Sequence, residues 1–249
     1  MEANPRSERD VAFRFSFSKI PFMRLHFSLS PSRQPVDFNY NALLTRTLHR
    51  WLGNNNPYHD ALSLYSVGSL QGGSARGGAL HFPRGASWHI SAPDTPQGQE
   101  LLQKIAEAAL HSPDVACGME IVEIASQNTP QFGPKRVFRA DSPIFIRGDE
   151  TDGKDPHILF DHPRASDYLT RTLRHKLDKA GLGHLSETAR VSFDRTYKTP
   201  KTRLIHIKDD FYKRASVCPI IVEGEPEAVQ FAWNTGAGNL TGSGFGSLV

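Results

Sequence analysis

The chain has 249 residues, 38% hydrophobic, 22% charged and 10% aromatic, which suits two domains of about 100–120 residues or one large one and excludes a disordered chain. With 29 basic and 26 acidic residues the formal charge is only +3, which permits nucleic-acid binding without arguing for it. Cys117 and Cys218 stand far apart, outside any C-x-x-C pair, so no zinc site or disulfide framework is expected, and with no apolar run of about 20 residues and no signal-peptide core the expected location is the cytoplasm, away from any membrane.

Met1 to Pro21 reads as an N-terminal extension, polar up to Asp10 and then alternating Phe13, Phe15 and Phe17 with polar residues. Phe22 to Leu29 is a period-2 strand with Met23, Leu25, Phe27 and Leu29 on one face. Asn39 is placed to cap a helix from about Tyr40 to Leu52, whose stripe is Leu44, Leu48 and Trp51 and whose end is Gly53. Asn54-Asn55-Asn56-Pro57 is a loop. A short element follows through Leu64 and Tyr65, then a loop from Gly72 to Gly78 that carries Arg76. Ala79 to Phe82 and Ser87 to Ser91 read as a hairpin, Thr95 caps a helix to about His111, and Met119 to Ile124 is a strand. The order strand, helix, strand, strand, helix, strand is ferredoxin-like.

The pattern repeats. Ser142 to Arg147 is an apolar strand, and Asp161 to Ala180 a helix with Leu169, Leu173 and Leu177 on one face and Arg171, Arg174, His175 and Lys179 on the other. Strands follow near Ala189–Thr196, Arg203–Lys208 and Ala215–Glu223, then a helix over Glu225–Trp233 and a closing strand over Phe245–Val249. The expected fold is α+β: two tandem ferredoxin-like domains with antiparallel sheets. The divisions are an extension at 1–21, a first domain at 22–130, a linker at 131–141 and a second domain at 142–249 ending in a glycine-rich loop.

That loop holds Gly236, Gly238, Gly242, Gly244 and Gly246 between a helix and the last strand. Glycine lets backbone approach a ligand closely, and exposed N–H groups can cradle phosphate. G-K-[ST] is absent, and the run does not open a helix, so neither a Walker loop nor a dinucleotide fingerprint is present. Gly236-x-Gly238, five residues, then Gly244-Phe245-Gly246 resembles the terminal signature of the RAMP superfamily, and most closely the CRISPR precursor-RNA-processing endoribonucleases. Met23 to Phe27 is similar to that family's first strand, and Leu48 to Leu52 to the end of its first helix. Asn56-Pro57-Tyr58-His59-Asp60 resembles the turn where many members carry a catalytic histidine. Members often place Lys or Arg inside the glycine loop, but here Asn239, Leu240, Thr241, Gly242 and Ser243 fill it.

The resemblance implies a metal-independent reaction without cofactor, in which a 2′-OH attacks the adjacent phosphate of CRISPR repeat RNA and the 5′-O leaves. Histidine suits both proton transfers near neutral pH. His59 is the first catalytic candidate, His49 the second, and Tyr40 a hydrogen-bond donor or stacking residue. No metal ligand set is expected. The RNA would run between the domains, over the five loop glycines and Arg76. One basic group is Arg171, Arg174, Lys176 and Lys179. Another is Lys198, Lys201, Arg203, Lys208, Lys213 and Arg214, interleaved with Tyr197, Phe211 and Tyr212. The alternative is a non-catalytic RAMP subunit holding guide RNA in a CRISPR effector complex; a homodimer is a further assembly left open. A nucleotide-binding metabolic enzyme using the glycine loop is a third, distant reading.

Overall fold

The structure, a computed structural model, describes residues 23–53, 62–149, 157–208 and 211–249. In chain order the first half forms β1 (Arg24–Leu29), α1 (Asn41–Leu52), β2 (Ser66–Val67), β3 (Ser74–Arg76), β4 (Ala79–His81), β5 (Ala86–Ser91), α2 (Pro96–His111) and β6 (Ile121–Gln127). Its main sheet is antiparallel in the order β2-β5-β1-β6. Alternation on β1 turns Leu25, Phe27 and Leu29 toward the stripe Leu44, Leu48 and Trp51 of α1 and Leu101, Leu102 and Ile105 of α2. Phe27 lies 5.6 Å from Trp51 and 5.4 Å from Trp88, ring to ring. Cutting Phe27 back to alanine in such a core costs about 3–5 kcal/mol.

Local chemistry explains the ends of these helices. Thr95 Oγ1 accepts the Gly98 N–H at 3.1 Å, with Pro96 in the first turn. Gly53, at φ 81°, closes α1 by donating its N–H to His49 O. Asn39 does not cap α1; Tyr40 takes that place without a side-chain bond. The Asn39 carboxamide oxygen is instead held by the His206 N–H at 3.2 Å. The expected pairing of Ala79–Phe82 with Ser87–Ser91 is also replaced. β4 pairs with β3 across Gly77-Gly78, both at positive φ, and β5 joins the main sheet. Two adjacent left-handed glycines make the two-residue turn a tight hairpin requires.

The second half forms β7 (Lys135–Phe138), α3 (Ala165–Lys179), β8 (Arg190–Phe193), β9 (Lys201–Lys208), β10 (Phe211–Val217), β11 (Ile220–Glu223) and α4 (Pro226–Thr235). Its sheet is β7-β11-β8. Beyond β7 the backbone of Arg139 to Asp141 bonds to Ser247 and Val249, so the chain's last residues lie beside β7. Both sheets thus share the strand order 2-3-1-4, the ferredoxin-like arrangement twice over. The β9–β10 hairpin is inserted between the second and third strands of the second sheet. The first strand of that sheet lies within residues 131–141. Ser142–Arg147, expected as a strand, runs irregularly through single bridges to Ser216, Asn239 and His157. Ile144, Phe145 and Ile146 are all buried there, so no solvent face remains to alternate with. Ala215–Glu223 breaks at Pro219, which has no N–H for a ladder.

The second face of the first sheet is covered by the second half. Arg24, His89, Ser91 and Ser66 project from it and are buried. Ser66 donates to Asn234 O, and Arg24 to Trp233 O and Leu248 O. The first sheet is therefore sandwiched between its own helices and α4 with the C-terminal segment.

Candidate nucleic-acid interface

The glycine-rich loop lies in that seam. Gly236, Gly238, Gly244 and Gly246 all have positive φ. A Cβ on Gly238 would stand 2.4 Å from Phe145 O, and one on Gly246 1.9 Å from Ala237 O. Gly242 rests on the ring of Tyr65, while Asn41 Nδ2 donates to Gly244 O at 2.9 Å. The glycines are thus required by close backbone packing between α1, β2 and the 142–147 segment. Asn239, Leu240 and Ser243 are half-buried, while the glycines are buried.

The β9–β10 hairpin stands beside the loop. One face packs inward: Ile205 pairs there with Lys213, Ala215 lies beside them opposite Arg203, and the Lys213 ammonium lies 4.8 Å from the Phe145 ring. Lys213 is buried, so it leaves the set of exposed basic residues. The other face carries Leu204, His206, Tyr212 and Arg214. Leu204 is 54% exposed, and the His206 and Tyr212 rings are 4.9 Å apart. A ring pair beside an arginine on an open hairpin has the chemistry to stack on unpaired bases.

Below the hairpin a cleft of about 380 Å³ opens between the halves, lined by Phe38, Tyr40, Gln71, Arg139, Asp141 and Arg203 among others. Lys201 and Arg203 are exposed on β9. Tyr40 is buried, and its hydroxyl accepts the Leu70 N–H at 3.2 Å. Burial raises its pKa above the usual phenol value. The hairpin that carries exposed Arg76 also contributes Leu80 to this cleft.

The structure does not bring Tyr40 and His49 together. Nine residues along a helix place them on opposite sides and about 13 Å apart. His49 is half-buried in the last turn of α1. His59 lies outside the described residues. Arg171 is held by Asp149 at 2.8 Å and stacks on Tyr168. Arg174 donates to Ala189 O and Glu187 O, tying α3 to the approach to β8. Among the described residues no three His, Cys, Asp or Glu side chains converge as a metal site, and no helix is long and apolar enough to cross a membrane.

Residues 127–249 match the family described as CRISPR associated protein Cas6, C-terminal. The C-terminal half of the chain is thus similar to the C-terminal domain of the Cas6 family. Across both halves the fold is similar to a Cas6-related protein from Pyrococcus furiosus, at 20% identity and a TM-score of 0.77, covering 92% of this chain and 98% of that one. It is similar to a solved RAMP protein binding different RNA substrates, at 20% identity and a TM-score of 0.76, covering 91% and 98%. A Thermus thermophilus Cas6 product complex follows at 14% identity and a TM-score of 0.61, covering 92% and 99%. These likenesses establish the tandem ferredoxin-like fold of the RAMP proteins. No curated protein matches the sequence.

Three buried polar groups around the Cas6-type loop were not legible as site residues. Lys176, grouped in the sequence with the basic face of α3, is buried. Its position was readable, since 176 follows Leu169 and Leu173 by seven and three residues and so falls on the apolar stripe. His89 and Asp141 meet in the seam between the halves, 3.9 Å apart. His89 Nε2 lies 2.9 Å from Ser247 Oγ. Burial, then the charge of Arg24 and then His26, push its pKa well below the ordinary histidine value, so this contact is no ion pair. Asp141 accepts from the Ser69 N–H at 2.7 Å and the Gln71 amide at 2.8 Å, and burial raises its pKa.

Proposed function

We propose that this chain is a metal-independent endoribonuclease that cleaves CRISPR repeat RNA into guide RNAs. The observation that carries the reading is the Cas6 C-terminal domain at residues 127–249, set in a chain whose two halves leave a basic cleft under an aromatic hairpin. In the reaction, the 2′-OH loses its proton to a base and its oxygen attacks the neighbouring phosphorus. The bond to the 5′-oxygen breaks, and that oxygen takes a proton from an acid, leaving a 2′,3′-cyclic phosphate and a 5′-OH. His59 is assigned as one proton-transfer group and His49 as its partner, with Tyr40 on the cleft wall. Lys201, Arg203, Arg76 and the outer face of the hairpin hold the strand, while Arg171 and the glycine loop extend its path. Two of the solved proteins similar to this chain are described as binding RNA substrates or as a product complex, which supports RNA as the ligand.

The test is cleavage of repeat RNA in EDTA by wild type, His59→Ala and His49→Ala, with the product ends analysed. Wild type should cut to a cyclic phosphate, and His59→Ala should lose at least 100-fold in rate, within the range expected of a proton-transfer group. Normal cutting by both variants overturns the assignment. Tight binding without cutting by wild type supports the guide-RNA-holding subunit instead.

A further inference from the structure

The glycine-rich loop has no cation of its own, yet one lies directly beneath it. Lys176 reaches from α3 and is only 1% exposed. Its Nζ donates to Thr235 O at 2.9 Å, Gly236 O at 3.2 Å and Thr241 Oγ1 at 3.1 Å. The first two are carbonyls at the C-terminal end of α4, where a positive charge opposes the helix dipole. The third belongs to the loop, and the Thr241 hydroxyl passes the chain on by donating to Tyr65 O at 2.8 Å, just before β2. One amine therefore binds α3, α4, the loop and the first half of the chain.

The surroundings of this amine hold no compensating anion among the described residues. On α3 itself His175, Asp178 and Lys179 are exposed, and Asp178 accepts from Ser186. On α4 the acidic residues, Glu225 and Glu227, stand at the N-terminal end, away from Thr235, while near the C-terminal end Arg24, another cation, donates to Trp233 O. Residues 236–246 contain no titratable side chain. The first half offers the buried phenol of Tyr65. Burial alone shifts Lys176, down to about 7. A buried cation with three hydrogen bonds and no carboxylate lacks a counter-charge, and the loop above it is the one wall that the proposed reading places against RNA.

We propose that Lys176 is the positioning cation of the glycine-rich loop, and that an RNA backbone phosphate on the loop supplies its missing counter-charge. The inference rests on the proposed RNA-processing function. It explains how a loop of Asn239, Leu240, Thr241, Gly242 and Ser243 attracts phosphate without a lysine or arginine. Linkage makes the effect reciprocal: phosphate favours the ammonium, so RNA binding draws a proton onto Lys176 wherever the free protein carries the neutral amine.

The experiment measures the Kd for uncleaved repeat RNA at fixed salt and pH 6.5, 7.5 and 8.5, for wild type, Lys176→Met and Lys176→Arg. It adds proton uptake by calorimetry in two buffers of different ionisation enthalpy. Wild type should weaken by up to about tenfold per pH unit between pH 7.5 and 8.5, above the ordinary histidine range, and take up part of one proton. Lys176→Met should bind about tenfold more weakly at pH 6.5 and without that slope. Lys176→Arg, charged at every pH, should recover affinity and also lose the slope. Should both variants fail to fold, the wild-type slope and proton uptake decide alone. A wild type that binds with one Kd from pH 7.5 to 8.5 and takes up no proton overturns the role of Lys176. So do folded variants that keep the wild-type slope. A wild type that does not prefer repeat RNA over unrelated RNA at any pH overturns the functional reading beneath it.

Discussion

The guanidinium of Arg24 lies 3.6 Å from the centre of the Trp233 ring, and this stack joins β1 to α4. Arg24 also donates to Ser91 Oγ at 2.6 Å and to Leu248 O at 2.9 Å. Burial pulls its pKa down to about 9, against a raising effect of Asp141, so it stays charged at neutral pH. A desolvated cation held this way is strongly destabilising to break, because the carbonyls it serves lose their donor. Arg24→Met should lower stability by about 3–5 kcal/mol in urea unfolding. Arg24→Lys should recover little of it, since an ammonium can neither lie flat on the indole nor span three acceptors in a fork. A lysine variant as stable as wild type would remove the stack from this account.

Acid should loosen the same seam through His89. Its folded pKa lies well below the ordinary value, so below about pH 6.5 the unfolded chain takes up a proton that the folded chain refuses. Stability from this group is therefore complete above pH 6.5 and declines as pH falls. Asp141, whose pKa is raised, acts in the opposite sense, so each pH is compared between wild type and His89→Gln. The wild type should lose stability faster on acidification from pH 7 to 5, by up to about 1.4 kcal/mol per pH unit. Parallel melting curves against pH for the two proteins would show that His89 is not the sensor.

The glycine run makes a separate prediction. Gly246 has φ +63° and a would-be Cβ 1.9 Å from Ala237 O, whereas nothing lies within 4 Å of the corresponding position at Gly133. Gly246→Ala must strain the backbone and push two chain segments apart, and should cost at least about 2–3 kcal/mol. Gly133→Ala should be neutral or slightly stabilising. Thermal unfolding of the two variants checks this, and equal melting temperatures would contradict the packing role.

These groups show where the sequence stops being readable. Alternation on β1 identifies Leu25, Phe27 and Leu29 as core, and the two ferredoxin-like units follow from such periods. The same alternation assigns Arg24 and His26 to the other face without saying what covers it. The second half covers it, and the polar residues there become a buried seam. Lys176 is hidden for a related reason: its charge suggests solvent while its spacing places it inside, and three acceptors decide between them. Ser142–Arg147 reads as a strand because three apolar residues run together, yet its pairing partners are scattered over Ser216, Asn239 and His157. Which histidines act turns on His59, which lies outside the described residues.

Exposed and committed arginines should separate in their response to salt. Lys201 and Arg203 are exposed on the hairpin that borders the cleft, while the guanidinium of Arg174 is engaged with Glu187 O and Ala189 O at 3.1 and 3.2 Å. Each lost phosphate contact to a single strand should flatten the plot of log affinity against log salt by about 0.7. Lys201→Ala with Arg203→Ala should therefore weaken repeat-RNA binding and lower the slope by about 1.4, with little change in melting temperature. Arg174→Ala should leave the slope intact and lower the melting temperature modestly, because α3 loses its tie to two carbonyls near the start of β8 that Arg190 Nη1 also serves. Were Arg174→Ala the variant that flattens the salt dependence, the RNA path would follow α3 past Arg171 to a guanidinium assigned here to the tie with Glu187 and Ala189.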